Sequence, residues 1–264
     1  MILATLLAFT ALGAAAEPAA EWLMRPAPEA AAKAGWREPR FSVDGRGRPW
    51  VLHDRRELVC PVEGAQARLI APADGLAHSG NASPLVGARG YLGVVPILEM
   101  VELGEDGRPK IPFKPLRRLP RRDCRVIGGA AGALFFVCRA EGAHELYRLA
   151  RGKGRNFELL LRAIEPVRAA AGDDKTAYAA VGAGVLRLDG EAKPLFRHPS
   201  GPVRDLAFDP AAGLFYAVDG EVGRWRPEGL ETLLAARRPQ VRALNGEVFV
   251  FSEEDWGIAR LSGL

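Results

Sequence analysis

Short apolar segments alternate along this chain with turns rich in Gly, Pro and Asp, and the same order of segments returns several times. Within a segment, Val, Leu, Phe and Tyr alternate with polar or small residues, which is typical of β-strands rather than helices. The one segment with a helical pattern is brief and covers residues 27–35 (APEAAAKAG). The pattern therefore predicts an all-β protein built from repeats.

In five units an Arg follows a Pro, a Val or a Cys, and strand-like segments come next, four of them in a complete unit. The clearest copy reads PVRDLAFDPAAGLFYAVDGEVGRWRPEGLETLLAARRP and starts at Pro202. Further copies start at Pro39, Asp123, Pro166 and Gln240, and a less regular unit starts at Gly75. Four strands in a unit of about 40 residues are the signature of a β-propeller blade.

The unit that starts at Gln240 contains three strand-like segments and lacks a fourth. The segment from Ala20 to Pro28 (AEWLMRPAP) has the pattern of the fourth strands of the other units. A propeller must close its ring, and a strand donated by this N-terminal segment would do so through main-chain hydrogen bonds. We therefore expect six four-stranded blades, the last one completed by the N-terminal strand. The alternative is a five-bladed ring that carries the irregular second unit as an insertion.

Residues 1–16 are apolar and uncharged, and they end in Ala14-Ala15-Ala16 ahead of Glu17. An apolar segment of this length with a small-residue ending predicts a cleaved signal peptide, although no Lys or Arg precedes it. The alternatives are a short N-terminal anchor and a buried strand. With the signal removed, we expect residues 17–264 to form one propeller domain, secreted or periplasmic and without a transmembrane segment.

Charged residues are interspersed along the chain, with 36 Lys and Arg, 32 Asp and Glu, and a net charge of +4. A basic balance can indicate a nucleic-acid partner when the charge is concentrated on one face. Interspersed charge on an exported protein does not favour that partner, so we expect none.

Of the three cysteines, Cys124 and Cys138 flank a predicted hairpin whose turn covers residues 129–132. A hairpin centred on Ala131 places the two cysteines directly opposite each other on adjacent strands. Opposed residues of a non-hydrogen-bonded antiparallel pair are close enough for a disulfide, and export makes oxidation plausible. Two buried thiols are the alternative. Cys60 is left over and is expected to be a small buried hydrophobic residue.

An arginine recurs at the start of the first strand-like segment of five units. In a propeller this strand is the innermost one, so the arginines should converge at one mouth of the central channel. A ring of guanidinium groups suits a carboxylate or another oxyanion. The candidate ligand-binding residues are Arg40, Arg125, Arg168, Arg204 and Arg242.

Acidic residues recur in the loops between second and third strands, which share that face of a propeller. They include Asp219, Glu253, Glu254 and Asp255. Three interpretations remain open: the acids pair with the arginines and join neighbouring blades, the face recognises an anion or a protein surface, or the face is catalytic.

The segment PVRDLAFDPAAGLFYAVDGEVGRWRPEG resembles repeats of the NHL, gluconolactonase-like and TolB-like six-bladed propellers. Gluconolactonase-like hydrolases hold a divalent cation at the channel mouth through a Glu, an Asp and Asn residues. The resemblance would therefore imply calcium, bound here by a degenerate acidic site drawn from Asp219, Glu253, Glu254 and Asp255. This sequence departs from that pattern, because its asparagines are predicted to lie on the opposite face (Asn81, Asn156 and Asn245).

Motifs for common catalytic chemistry are missing, including a GxSxG nucleophile elbow, HExxH, CxxCH, a phosphate-binding loop and a dinucleotide fingerprint. We therefore expect a non-enzymatic recognition or scaffold propeller for a protein or an anionic ligand, without a cofactor. The alternative is a metal-dependent hydrolase similar to lactonases or esterases, with calcium. The fold alone cannot decide between them, because propellers carry both functions.

Overall fold

The repeat pattern corresponds to antiparallel strands throughout the part of the chain that the structure describes. A computed structural model describes residues 19–29, 39–54, 57–68, 73–78, 85–89, 97–101, 114–121, 123–130, 133–150 and 156–264.

The first strand, β1 (Ala19–Met24), precedes the repeats. The first two units contain β2 (Arg40–Val43), β3 (Pro49–His53), β4 (Glu57–Cys60), β5 (Ala65–Arg68), β6 (Ala73–His78), β7 (Leu85–Arg89), β8 (Ile97–Val101) and β9 (Lys114–Arg118). The next two contain β10 (Cys124–Ala130), β11 (Ala133–Ala140), β12 (Ala143–Ala150), β13 (Phe157–Ala163), β14 (Val167–Gly172), β15 (Ala177–Val181), β16 (Gly184–Asp189) and β17 (Glu191–Arg197). The last two contain β18 (Asp205–Asp209), β19 (Gly213–Val218), β20 (Gly220–Arg226), β21 (Gly229–Ala236), β22 (Pro239–Leu244), β23 (Glu247–Ser252) and β24 (Gly257–Ser262).

These strands form six antiparallel sheets of four strands. Five sheets consist of consecutive strands, β2–β5, β6–β9, β10–β13, β14–β17 and β18–β21, and the other has the order β1-β24-β23-β22. The innermost strands β2, β6, β10, β14, β18 and β22 contact one another in that order, and β22 also contacts β2. Sheets arranged radially in this way make a β-propeller, so the prediction of an all-β propeller is confirmed.

The N-terminal segment pairs with the last strand of the chain, as its pattern predicts. β1 lies antiparallel to β24, with Ala20 opposite Leu261 and Trp22 opposite Ala259. Gly257 makes the close approach possible, because a Cβ at this position would lie 2.9 Å from the Trp22 ring. Any side chain there would have to displace the ring.

The hydrophobic core lies between neighbouring sheets. One cluster joins Tyr178 and Val185 of the β14–β17 sheet to Leu206 and Tyr216 of the next sheet. Another joins Phe41 of β2 to Phe251 of β23, whose ring centroids are 5.6 Å apart. Because these clusters need residues from two sheets, a single sheet could not bury its apolar face alone.

The disulfide prediction is confirmed, and the hairpin that carries it differs from the prediction in one detail. Cys124 and Cys138 are bonded, with Cα atoms 4.0 Å apart. The Arg139 amide donates to the Asp123 carbonyl at 2.9 Å, so the adjacent pair is hydrogen-bonded and the cysteines occupy a non-hydrogen-bonded pair. The predicted register is present from Cys124 to Val126 and then shifts by one residue at a β-bulge.

Gly128 lies just beyond this bulge, at a close contact with the neighbouring sheet. A Cβ on Gly128 would clash with the Ala170 carbonyl oxygen of β14. Strands β10 and β14 therefore approach more closely than any residue with a side chain permits. The remaining cysteine, Cys60, is buried and free, as expected, and burial raises the pKa of its thiol.

Some predictions fall outside the described residues. They include the signal peptide at 1–16, most of the helical segment at 27–35, and Asn81. Among the residues described, no helix is both long and apolar enough to cross a membrane.

Candidate functional site

The innermost strands all begin on one side of the propeller, which we call the upper face; they end on the lower face. The residue that begins β2, Arg40, lies opposite Leu52 near the end of β3. Because neighbouring strands are antiparallel, two kinds of loop lie on the upper face. One kind leads into an innermost strand, and the other joins a second strand to a third strand. The sequence-predicted arginines and acids both belong to these positions.

Four of the five predicted arginines lie where an innermost strand begins. Arg40 is the first residue of β2, Arg125 and Arg168 are the second residues of β10 and β14, and Arg204 directly precedes β18. Arg242 is the fourth residue of β22, so it lies farther along its strand.

Arg40 and Arg168 belong to two other sheets, and both are close enough to Arg125 to act on its charge. The pKa of Arg125 is lowered first by desolvation and then by the positive charges of Arg40, Arg139 and Arg168, and the negative charge of Asp123 opposes this with a smaller effect. Arg125 is exposed to solvent. The desolvation therefore comes from protein atoms that crowd around its guanidinium group, which solvent still reaches. We call Arg40, Arg125 and Arg168 the arginine cluster.

The arginine cluster forms no ion pair within the described part of the chain. None of its three members, nor Arg204, makes an ion pair or a side-chain hydrogen bond with any described residue, and Asp123 instead lies 3.9 Å from Arg139. A guanidinium group retains its charge at neutral pH, so the cluster presents several positive charges on the upper face, where the innermost strands begin. Such a concentration of one sign attracts anions.

Arg242 has a different environment and is not available to a ligand in the way predicted. Its side chain is buried, with 9% of the residue exposed. Its Nη1 donates to Asp205 of the neighbouring sheet and to the Val241 carbonyl. Asp205 also accepts from the amides of Leu206 and Val241, which fixes the carboxylate. This pair joins β18 to β22, so Arg242 is a structural residue and departs from the expected ring of five.

The acids proposed for a metal site are engaged in structural contacts. Asp219 accepts from the Arg238 amide at 3.1 Å, and Glu253 accepts from Gln240 at 2.9 Å. Asp255 accepts from the Ser252 hydroxyl at 2.9 Å and from the Arg237 amide. Glu254 is exposed.

Within the described ranges, no group of three or more His, Cys, Asp or Glu side chains is arranged to hold a metal ion. Asp219, Glu253 and Asp255 thus make structural contacts in the loops of this face, as one interpretation expected of them, but their partners are not the predicted arginines.

Gln240 is an important residue that the sequence analysis did not single out. Its amide nitrogen donates to the Pro39 carbonyl at 2.7 Å, and its oxygen accepts from the Phe41 amide at 2.8 Å. It therefore joins the last sheet to the first. A signal was present in the sequence, because Gln240 stands where the two clearest units have Pro166 and Pro202.

His198 forms a second unpredicted contact between sheets. Its Nδ1 accepts from the Ser200 amide at 3.2 Å, so Nε2 carries the proton and donates to Glu221 at 3.2 Å. The Tyr216 hydroxyl donates to the same carboxylate oxygen at 3.0 Å. Burial, and then the Glu221 carboxylate, raise the pKa of Tyr216. These hydrogen bonds join the end of β17 to the β18–β21 sheet.

Glu145 is the centre of a third cluster, in the β10–β13 sheet. It accepts from the Tyr147 hydroxyl at 2.7 Å and from Arg121 Nε at 2.6 Å. The Tyr147 hydrogen bond and then the Arg121 guanidinium hold the pKa of Glu145 below its ordinary value, against an opposing effect of desolvation. The Glu145 carboxylate thereby neutralises the charge of Arg121, whereas no described acid forms an ion pair with the arginine cluster.

Comparison with known proteins gives similarity at the level of structure only. No family model matches the chain, and no curated protein matches it. A candidate oxidoreductase (glucose dehydrogenase) from Thermus thermophilus is 15% identical, with a TM-score of 0.57 over 92% of this chain and 99% of the other. A candidate phosphatase from Bacteroides thetaiotaomicron is 11% identical, with a TM-score of 0.56 over 85% of this chain and 70% of the other.

A third similar structure is the extracellular domain of a candidate one-component system from B. thetaiotaomicron. It is 10% identical, with a TM-score of 0.50 over 81% of this chain and 31% of the other. Identities this low carry no activity from one protein to another. They agree with the sheet order in identifying the chain as a β-propeller, so the resemblance to propeller repeats is confirmed at the level of the fold.

Proposed function

We propose that this protein is an exported, non-enzymatic recognition or scaffold propeller that binds an anionic ligand at the mouth of its upper face. Arg40, Arg125 and Arg168 would supply the binding groups, with Arg204 beside them. The observation that carries the proposal is the arginine cluster: three arginines at the starts of β2, β10 and β14, two of which act on the charge of the third, with no ion pair to any described residue.

Binding of an anion would relieve the electrostatic repulsion within the arginine cluster. Like charges held close together in a crowded site destabilise the folded protein, and an anion that binds between them removes this repulsion. The planar guanidinium fork forms two parallel hydrogen bonds with a carboxylate or phosphate group. Several such groups at one mouth suit a ligand with more than one negative charge.

The proposal includes a closed ring of six blades. Six four-stranded sheets, the ordered contacts of the innermost strands and the pairing of β1 with β24 all support it. The irregular second unit has a sheet of its own, β6–β9, which disfavours the interpretation as an insertion in a five-bladed ring. Export is supported by the signal-like residues 1–16 and by the disulfide.

Thermal unfolding in the presence of defined anions tests the proposal. The probes are citrate and inorganic polyphosphate, each against sodium chloride of equal ionic strength. A ligand that binds only the folded state raises the Tm by mass action, with a stabilisation of about 2.7 kcal/mol at a concentration 100 times its Kd. We expect at least one multivalent anion to raise the Tm of the wild-type protein.

The matched variants are Arg125→Ala with Arg168→Ala, and Arg46→Ala. Arg46 is an exposed arginine in the turn between β2 and β3, on the lower face. The anion effect should disappear in the double variant and persist in Arg46→Ala. A shift that survives in the double variant, or no shift with any probe, would contradict the proposal.

The same purified protein should be analysed for bound metal and melted with calcium or EDTA. The proposal expects no stoichiometric calcium and no effect of EDTA. One bound calcium ion with a large EDTA effect would favour the hydrolase alternative and make the carboxylates of Asp219, Glu253, Glu254 and Asp255 the next residues to change.

A further inference from the structure

We infer that the ligand is an acidic segment of a partner protein, with an aliphatic or aromatic residue that packs on Ile164. This inference rests on the proposed function and assigns the class of partner. The segment would lie on the upper face between Ile164 and the arginine cluster.

Ile164 is unusually exposed for a large aliphatic side chain. Among described residues, the exposed large hydrophobic side chains are Ile164 at 87%, Leu159 at 51% and Val62 at 44%. Val62 belongs to the turn between β4 and β5 on the lower face, and Leu159 lies in the half of β13 nearer the lower face. Ile164 is thus the large apolar group that the described upper face presents to a partner.

The backbone that carries Ile164 is fixed on both sides. Ala163 packs against the core between the β10–β13 and β14–β17 sheets, and Val167 is fully buried in the same core. The neighbouring Glu165 carboxylate lies against Gly182, where a Cβ would be only 2.7 Å from it. Single exposed apolar residues are common on protein surfaces. This one is held in place at the functional face, so little conformational entropy would be lost when a partner covers it.

Residues 163–168 connect the outer strand β13 to the innermost strand β14, so they cross the upper face from rim to channel. Ile164 is four residues from Arg168, so their Cα atoms are at most about 14 Å apart. Arg162 is exposed on the rim side, and its Nε is 4.0 Å from Glu145. A ligand that follows this connection meets an apolar group and then the positive charges of the arginine cluster.

These two features together favour a protein over other anions. Inorganic anions and sugar acids use the arginines and gain nothing from Ile164. Nucleic acid gains its affinity from phosphate contacts along an extended basic surface, whereas Ile164 offers no charge. A protein segment with carboxylates and one apolar side chain uses both features, because a buried apolar anchor surrounded by polar contacts is the usual anatomy of a protein interface.

Selection from a library of random twelve-residue peptides displayed on phage tests this inference. The bait is the full-length mature protein. We expect the enriched peptides to contain several Asp or Glu residues and one aliphatic or aromatic residue. Synthetic copies should bind the wild-type protein and lose at least tenfold in affinity with Ile164→Ser. They should also lose at least tenfold with the Arg125→Ala, Arg168→Ala double variant.

Two control variants make the result specific. Val62→Ser removes an exposed aliphatic residue from the lower face, and Arg46→Ala removes an exposed arginine there; both should bind like the wild type. Because Ile164 is exposed, Ile164→Ser should have an unchanged Tm, which separates loss of binding from loss of folding.

The outcomes separate this inference from the function on which it rests. Acidic peptides that need the arginines but bind Ile164→Ser normally would overturn the inference and leave anion recognition intact. Enriched peptides without acidic residues, or binding that survives the double arginine variant, would count against both. No enrichment, or displacement of the peptides by single-stranded oligonucleotide at equal charge, would overturn the assignment of a protein partner.

Discussion

Two sets of arginines in this propeller differ in their partners. Three buried or partly buried arginines towards the lower face are paired with acids: Arg48 with Asp44, Arg148 with Glu158, and Arg224 with Glu231. On the upper face Arg40, Arg125 and Arg168 have no such partner among the described residues. The contrast shows what distinguishes structural arginines from those available to a ligand. It is the presence of an acidic partner, and not the residue type or the position in the repeat.

The largest effect is expected on the lower face, from Asp44→Ala. Asp44 is fully buried; its Oδ2 accepts from Arg48 Nε at 2.8 Å and from Trp50 Nε1 at 3.0 Å. Removing it leaves a guanidinium and an indole nitrogen without their acceptor, so we expect a loss of about 3–5 kcal/mol in unfolding free energy. Urea denaturation measures it.

Arg168→Ala on the upper face is the matched control for Asp44→Ala. It should change the unfolding free energy by no more than about 0.5 kcal/mol. Equal losses from the two substitutions would mean that the faces do not differ in the way described.

A disulfide covalently joins the strands that carry Arg125 and Arg139 on the upper face. Replacing both Cys124 and Cys138 with Ser should reduce the unfolding free energy by about 3 kcal/mol, the loop-closure value for the short segment between them. Calorimetry of the double variant measures the loss. Anion binding should also weaken, because the strands that orient Arg125 are held less firmly; undiminished binding would show that the bridge stabilises the fold without positioning the site.

The strand pattern could be predicted from the sequence because period-two alternation and turn residues are local signals. The pairing of Cys124 with Cys138 was accessible for the same reason, since one hairpin contains both residues. The bulge after Val126 was not predicted, and neither was the close contact of Gly128 with Ala170 of another sheet. A contact between sheets leaves no local pattern.

The candidate site was likewise predictable only where its signal is local. An Arg recurs at the start of five units, and four of these side chains lie where an innermost strand begins. This recurrence could not separate Arg242 from the rest, because the acid that neutralises it, Asp205, belongs to the preceding unit. Gln240 was missed because its partners, Pro39 and Phe41, are 201 and 199 residues away along the chain.

Glu145 allows a paired and an unpaired arginine to be compared within the upper half of one sheet, because its carboxylate neutralises the charge of Arg121. Tyr147→Phe removes one of its hydrogen bonds and should cost about 1 kcal/mol at pH 7. The pKa of Glu145 is lowered in the folded protein, so its stabilisation is fully present above the ordinary pKa of glutamate, 4.5, and is lost as the pH falls through the folded value.

Without the Tyr147 hydroxyl the folded-state pKa of Glu145 moves up, and the stabilisation that remains should be smaller throughout the range above the ordinary pKa. Unfolding free energies between pH 3 and pH 7 for the wild type and Tyr147→Phe measure this, and the two curves should converge as the pH falls. Parallel curves would show that Arg121 alone sets the ionisation of Glu145.

A small effect is also expected from Arg125→Ala, and its sign is the informative part. Removing Arg125 from the arginine cluster should leave the protein as stable or slightly more stable, by less than about 0.5 kcal/mol. The gain should shrink as salt is raised from about 0.01 M to about 0.5 M, because salt already screens the repulsion. Destabilisation that grows at low salt would reveal a counter-charge and remove the basis of the comparison.

The pairing of β1 with β24 also determines the order in which strands can pair while the chain is being synthesised. Ribosomes make β1 before the other described strands, whereas its partner residues, 257–262, follow after all of them. Each of the other sheets consists of consecutive strands, so its strands can pair as soon as its own four have been made. β1 must wait with its edge unpaired, and an unpaired edge invites association with other chains. A pause of translation before residue 257 should therefore prolong the exposure of this edge and promote aggregation.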